Sequence, residues 1–268
     1  RFAHGWAEMA KNLGVNAKII EFGKQSPVDA EVVEETLRAD TQKEFKALLT
    51  THVDTSTSVK NDVAALRQAL DASGHPALLA TDCIASLGCD DFQMDSWGVD
   101  VMVTGCQKGL MVPPGLSFVY FSERAKKMQK MLSRVSSYWN WAPRIEPNGY
   151  YEYFCGTAPT NHIYGLRKAL DMILSEGIGS VIARHKALAE AVWTAVEHWG
   201  RDGGLLKMNI PQPQYRSHAV TALSIGTPDA TRLRHWVEEN AGLTLGIGLG
   251  MSSEEDPNAD GFFRLGHM

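Results

Sequence analysis

The sequence predicts an α/β fold: a mostly parallel sheet with helices on both faces, followed by a smaller α+β C-terminal unit. Three observations carry that expectation. Helical and strand-like periodicities alternate through the first half. The strands there are continuous apolar runs, as strands covered on both faces are, and not hydrophobic-polar alternations. After Glu176-Gly177 the pattern changes to a long amphipathic helix and shorter mixed elements, which divides the chain into a large unit over 1–176 and a small one over 177–268. At 268 residues and 44% hydrophobic content, each unit can bury its own core.

The elements follow in order. Phe2, Trp6, Met9, Ala10 and Leu13 recur at helical spacing, with Gly14 as a C-terminal cap. Residues 16–22 read as a strand. Ser26, Pro27 and Asp29 supply an N-cap, a first-turn proline and an acid for a helix ending near Ala39. A strand over 45–51, a helix over 62–72 and apolar strands over 77–81 and 99–104 come next. Pro113-Pro114-Gly115 then leads at once into a strand over 116–121. So short a connection cannot make a parallel crossover, and this strand is expected to run antiparallel to its predecessor. Beyond it the spacing predicts helices over 158–176 and 180–199, a strand over 219–225, a helix over 229–240, a strand near 243–246 and a last strand carrying Arg264. Trp193 and Trp199 fall on the second of those helices and are expected in the small unit's core.

Composition excludes several classes. The net charge of −5 and the scattered basic residues give no electrostatic support for binding a phosphate backbone, so no nucleic-acid partner is expected. No apolar run reaches the roughly 20 residues that span a bilayer, so no membrane partner is expected. Cys83, Cys89, Cys106 and Cys155 form no C-x-x-C pair and point to a reducing, cytoplasmic setting. The chain opens on Arg1 and closes on a strand without a capping element, so it is expected to be trimmed at both ends.

Ligands of an open parallel sheet bind beyond the carboxyl ends of its strands. Three strands end in chemically loaded runs: Thr51-His52-Val53-Asp54-Thr55-Ser56-Thr57, Asp82, and Gly105-Cys106-Gln107-Lys108. Hydroxyls, a carboxylate and a lysine thus meet at one rim. An amine in an apolar loop loses solvation and becomes a nucleophile toward aldehydes. A carboxylate facing a pyridine-type nitrogen keeps that ring protonated and an electron sink. Lys108 and Asp82 suit these roles. An ion pair between them at the rim is the competing reading from spacing alone.

Asp82-Cys83-Ile84-Ala85-Ser86-Leu87-Gly88, then Trp97-Gly98-Val99-Asp100, then Thr104-Gly105-Cys106-Gln107-Lys108-Gly109-Leu110 and Pro113-Pro114-Gly115 resemble the signature of class V pyridoxal-phosphate aminotransferases. Within that class the chain most resembles the alanine–glyoxylate and serine–glyoxylate branch. The likeness extends through His52 to Thr57, Thr157-Ala158-Pro159, Tyr164 to Leu170 and Arg264-Leu265-Gly266-His267-Met268, so it covers nearly the whole chain in order. It implies pyridoxal 5'-phosphate as cofactor and the large-domain fold of the type I pyridoxal-phosphate enzymes. By the same likeness Lys108 forms the Schiff base and shuttles the α-proton, Asp82 holds the pyridinium proton and Ile84 presses on one ring face. Thr55 bonds near the phenolic oxygen and Gln107 contacts the phosphate. Thr157, helped by Tyr153 or Phe154, reaches the phosphate of the partner subunit in a homodimer with shared sites, and Arg264 takes the substrate α-carboxylate as a bidentate fork. The family's phosphate loop and ring-stacking aromatic lie upstream of a segment like Arg1-Phe2-Ala3.

The implied reaction moves an amino group from alanine or serine to an oxo acid such as glyoxylate or pyruvate, with ping-pong kinetics. A cysteine desulfurase or lyase of the same fold is the alternative, although that branch places histidine before the lysine and Gln107 stands here. A sensor that only binds the cofactor or an amino acid has no need of Asp82, Lys108 and Arg264 together. His52 and His267 lack companions at ligand spacing, so structural roles and no metal are expected. Cys106 reads as an inert buried filler. Gly246 to Gly250 reads as a flexible turn rather than a dinucleotide loop, and Lys126, Lys127 and Lys130 as a solvated helix face.

Overall fold

A computed structural model describes residues 1–133 and 135–268. The chain forms an α/β fold with two four-stranded sheets. The first consists of β1 (Ala47–Thr51), β2 (Leu78–Asp82), β3 (Val101–Gly105) and β4 (Ser117–Phe121), in that spatial order. β1, β2 and β3 are parallel, and β4 returns antiparallel to β3 with Thr104 opposite Phe118, as the short connection requires. Helices α1 (Phe2–Asn12), α2 (Ala30–Ala39) and α3 (Val63–Ala72) fall before and between the parallel strands, and α4 (Glu123–Lys130) follows β4. Val33 and Leu37 of α2 and Val63, Leu66 and Leu70 of α3 bury against Leu79 and Met102 of the sheet.

After the short helix α5 (Ala142–Ile145) come the long α6 (Thr160–Glu176) and α7 (Ile178–Trp199), separated by Gly177 at φ +85°. The second sheet is β5 (Lys207–Met208), β6 (Val220–Ser224), β8 (Phe262–Gly266) and β7 (Gly246–Ile247), in that order and antiparallel throughout; α8 (Asp229–Ala241) follows β6 in sequence. Its core joins Val196 of α7, Ala230 of α8, Leu223, Leu245 and Phe263.

Several elements differ from the sequence reading. Residues 16–22 form no strand, although Ile20 and Phe22 pack against the first sheet's core. The helix expected from Ser26 starts at Ala30, because Asp29 is the residue whose carboxylate caps it, accepting from the Glu31 N–H at 2.9 Å. Trp193 is buried and donates its indole N–H to Thr221, whereas Trp199 at the helix end is 65% exposed. Gly246 is not part of a loose turn; it pairs with Arg264 as an edge strand. No helix is long and apolar enough to cross a membrane among the described residues.

Candidate active site

The site is built at the carboxyl ends of β1, β2 and β3. Asp82 closes β2, and the chain turns so tightly after it that the Ile84 N–H reaches back to Asp82 Oδ1 at 2.8 Å. No partner stands at Oδ2 among the described residues. Burial raises the Asp82 pKa above the ordinary carboxylate value, the Ile84 N–H opposes that rise, and the nearby Asp54 adds to it. Such a carboxyl calls for a positively charged N–H partner.

β3 ends at Gly105, and Cys106, Gln107 and Lys108 follow. Cys106 is fully buried; its Sγ accepts from the Leu116 N–H at 3.3 Å and lies 3.0 Å from the Pro113 carbonyl, so it pins the strand's exit and is a filler, as expected. Gly109 lies flat on the turn that follows Asp82: a Cβ there would stand 2.2 Å from the Leu87 carbonyl oxygen. The lysine loop and the carboxylate turn are therefore in direct contact.

From β1 the chain passes through His52 into a turn closed by Asp54, whose carboxylate accepts from Ser56 N–H at 2.7 Å and Thr57 N–H at 3.2 Å. Ser58 completes the turn at φ +62°, and its Oγ accepts from the Ala222 N–H of β6 at 3.1 Å. Thr55 sits at the turn's tip. Its carbonyl accepts from Arg264 Nη1 at 3.1 Å, while Arg264 Nε donates to the Ile247 carbonyl at 2.8 Å. Three of the five guanidinium N–H groups remain available. Burial lowers the Arg264 pKa, with Asp54 acting against it.

Thr55, Gln107, Lys108 and Arg264 line one cavity of about 310 Å³, closed by Gly246 and Val220 of the second sheet. A neighbouring cavity of about 290 Å³ is lined by Ile84, Thr104, Ser117 and again Gln107, which is shared by the two. Six of the seven residues selected from sequence thus meet at one rim, Asp82 lying beneath it through its turn. Thr157 does not join them: it lies exposed on the loop before α6 and lines neither cavity. Val220, Thr244, Leu245 and Gly246 also border the larger cavity; the sequence placed them on expected strands but not at the site, since none carries a group whose chemistry marks it.

His52 and His267 have structural contacts. His52 is buried against Phe92 and Trp97, and burial pushes its pKa down to about 4. His267 shares a hydrogen bond between its Nε2 and Thr221 Oγ1 at 2.9 Å; burial, with His185 and His218 nearby, takes it also to about 4.

The aminotransferase class-V family model matches residues 3–256. The chain belongs to the class V aminotransferase family. It is 38% identical over 271 residues to the L-aspartate–glyoxylate aminotransferase of Paracoccus denitrificans and 37% identical over 278 residues to the serine–glyoxylate aminotransferase of Methylorubrum extorquens. Both matches cover 100% of this chain and 65% of the relative, so the chain spans somewhat under two thirds of their length. Among solved structures, an alanine–glyoxylate aminotransferase from Nostoc sp. superposes with a TM-score of 0.85 at 26% identity, covering 100% of this chain and 67% of that one. A pyridoxamine–pyruvate aminotransferase from Mesorhizobium loti superposes at 0.84, also with 26% identity, covering 100% and 65% respectively. Class V membership implies pyridoxal phosphate as the cofactor. The residues present fit that group: Asp82 is a buried, half-satisfied carboxyl, and the Thr55 hydroxyl, Gln107 amide and Lys108 amine carry no hydrogen bond or ion pair among the described residues.

Proposed function

We propose that this chain carries most of the active site of a pyridoxal-phosphate-dependent aminotransferase that moves an amino group from a small amino acid, alanine or serine, to an oxo acid such as glyoxylate or pyruvate. One observation carries the reading: Lys108, Thr55, Gln107 and Arg264 converge on one cavity, and the only cations among its lining residues are Lys108 and Arg264. When bound, pyridoxal phosphate supplies an aldehyde that takes up the amine and a protonated ring that accepts the electrons left by α-deprotonation. Lys108 binds the aldehyde through Nζ and moves the α-proton at that atom. Asp82 would hold the ring N–H, and Ile84 would exclude water from one ring face. Thr55 and Gln107 orient the phenolic oxygen and the phosphate. Arg264 binds the donor carboxylate with the guanidinium edge left open by its two backbone bonds.

The reading includes a division into a cofactor-binding unit over 1–176 and a small unit over 177–268, supported by the separate sheets. It also includes a homodimer in which Thr157 reaches the partner's phosphate. Exposed Tyr138, Trp139, Tyr150, Tyr151 and Tyr153 around that loop support a covered surface there. A cytoplasmic setting is in keeping with four free cysteines. The test is borohydride reduction of the cofactor-loaded protein followed by peptide mapping, with a panel of donors assayed against glyoxylate and pyruvate. The fixed cofactor is expected on the Lys108 peptide, and Lys108→Ala is expected to lose both label and turnover. Label elsewhere, or near-normal turnover by that variant, refutes the reading.

A further inference from the structure

We propose that Asp90 is a positioning residue for substrate-carboxylate binding: it fastens the turn beneath Asp82 and Lys108 to the strand pair that carries Arg264. The inference rests on the functional reading above. Asp90 is 2% exposed and ends the turn that begins at Asp82, with its own N–H bonded to the Ser86 carbonyl at 2.9 Å. That turn is the one on which Gly109 lies, so Asp90 moves with the lysine loop. Its carboxylate is held by the segment that leads into the second sheet. Asp90 Oδ2 accepts from Ser217 Oγ at 2.7 Å, and the His218 N–H is shared between Oδ1 and Oδ2 at 3.1 and 3.2 Å. His218 Nδ1 stands 3.2 Å from Oδ1, and Lys60 Nζ, from the loop after β1, stands 3.9 Å away.

Two residues past this anchor β6 begins, and β6 pairs directly with β8, setting Ala222 opposite Arg264 and Val220 opposite Gly266. His267, just beyond β8, is bonded through its N–H to the Ala219 carbonyl, within the same corner. A buried carboxylate held by donors from the segment that leads into β6 has one favourable arrangement, and losing one acceptor oxygen leaves a buried donor unpaired. The anchor therefore fixes β6, and with it Arg264, relative to the groups that would hold the cofactor. Small displacements at such a receptor have large effects on binding.

The test uses the intact protein loaded with pyridoxal phosphate. Propionate, a carboxylate without an amine, is titrated against the cofactor's visible absorbance. Asp90→Asn is expected to weaken propionate by about tenfold or more and to raise the donor KM in parallel. The cofactor dissociation constant and kcat at saturating donor are expected to stay within about twofold, a split that general loosening of the fold does not produce. Hydrogen exchange is expected to quicken at β6 and β8 amides and not at β2 and β3. If Asp90→Asn does not fold, Ser217→Ala, which removes one donor and keeps the charge, is expected to give the same split at smaller size. Unchanged propionate affinity, or cofactor and propionate lost together, overturns the proposal. Arg264→Lys is measured alongside: if it binds propionate as tightly as the wild type, the functional reading fails and this inference with it. Failure of Asp90→Asn alone leaves that reading standing.

Discussion

At the scale of single residues, two side chains of the site are expected to fail in different ways when altered. Arg264 holds its plane by donating to the Ile247 and Thr55 carbonyls, and a lysine ammonium can reproduce neither the fork nor both anchors at once. Arg264→Lys is therefore expected to raise donor KM by about 10–100-fold, the worth of one or two charge-assisted bonds, with kcat changed much less. Steady-state kinetics over a range of donor concentration checks this; a fall in kcat at constant KM contradicts it. Asp82→Asn keeps the size and the contact to the Ile84 N–H but removes the charge that, on the proposed reading, would face the ring nitrogen. It is expected to retain cofactor while kcat falls by about 10²–10³, as removal of one preorganised electrostatic group does elsewhere. Absorbance of the bound cofactor and turnover, read together, decide it. Asp82 was legible because a carboxylate is unusual at the end of an apolar strand, whereas Arg264, in the middle of β8, was singled out only by the family resemblance of the Arg264-Leu265-Gly266-His267 run. Val220 and Gly246 were not, since they serve the cavity only with backbone and bulk.

At the scale of elements, the loop after β1 offers a contest between two terms of similar size. Ser58 occupies the left-handed region at φ +62°, which costs a non-glycine residue about 1 kcal/mol. Its Oγ satisfies the buried Ala222 N–H, and leaving that donor unpaired costs about 1–3 kcal/mol. The hydrogen bond wins, so the expected order of stability is wild type, then Ser58→Gly, then Ser58→Ala, which keeps the strain and loses the bond. Urea unfolding of the three proteins checks the order, and a Ser58→Gly more stable than wild type reverses it. Strands β1 to β3 could be read because each is an apolar run with a loaded end. The strand expected near 243–246 was read too early: β7 is Gly246–Ile247, a two-residue strand too short for alternation to place, and it forms where the backbone pairs with Arg264 and Phe263. Residues 16–22 were misread because an apolar pattern reports burial, here of Ile20 and Phe22 on the core, and burial does not by itself make a ladder.

At the scale of the whole molecule, the buried His52 and the half-buried His267 give stability a defined dependence on pH. His52 and His267 are held at about 4 by burial, against about 6.5 in an unfolded chain. Above pH 6.5 both states carry them neutral. Between 6.5 and 4 the unfolded chain takes up protons that the folded one refuses, so stability falls with falling pH, by up to about 1.4 kcal/mol per pH unit for each histidine. Urea midpoints at pH 7.5, 6 and 5 are expected to decline in that order, and His52→Leu is expected to flatten the slope by one proton; equal midpoints refute it. The overall arrangement was readable from the alternation of elements and the switch to longer helices, whereas the seam between the two sheets was not, because it joins residues remote in sequence. The Arg264–Thr55 bond, between positions 209 apart, belongs to that seam. It means that the receptor stands ready before its guest arrives. On the proposed reading, little freedom remains to be lost when a donor carboxylate docks there.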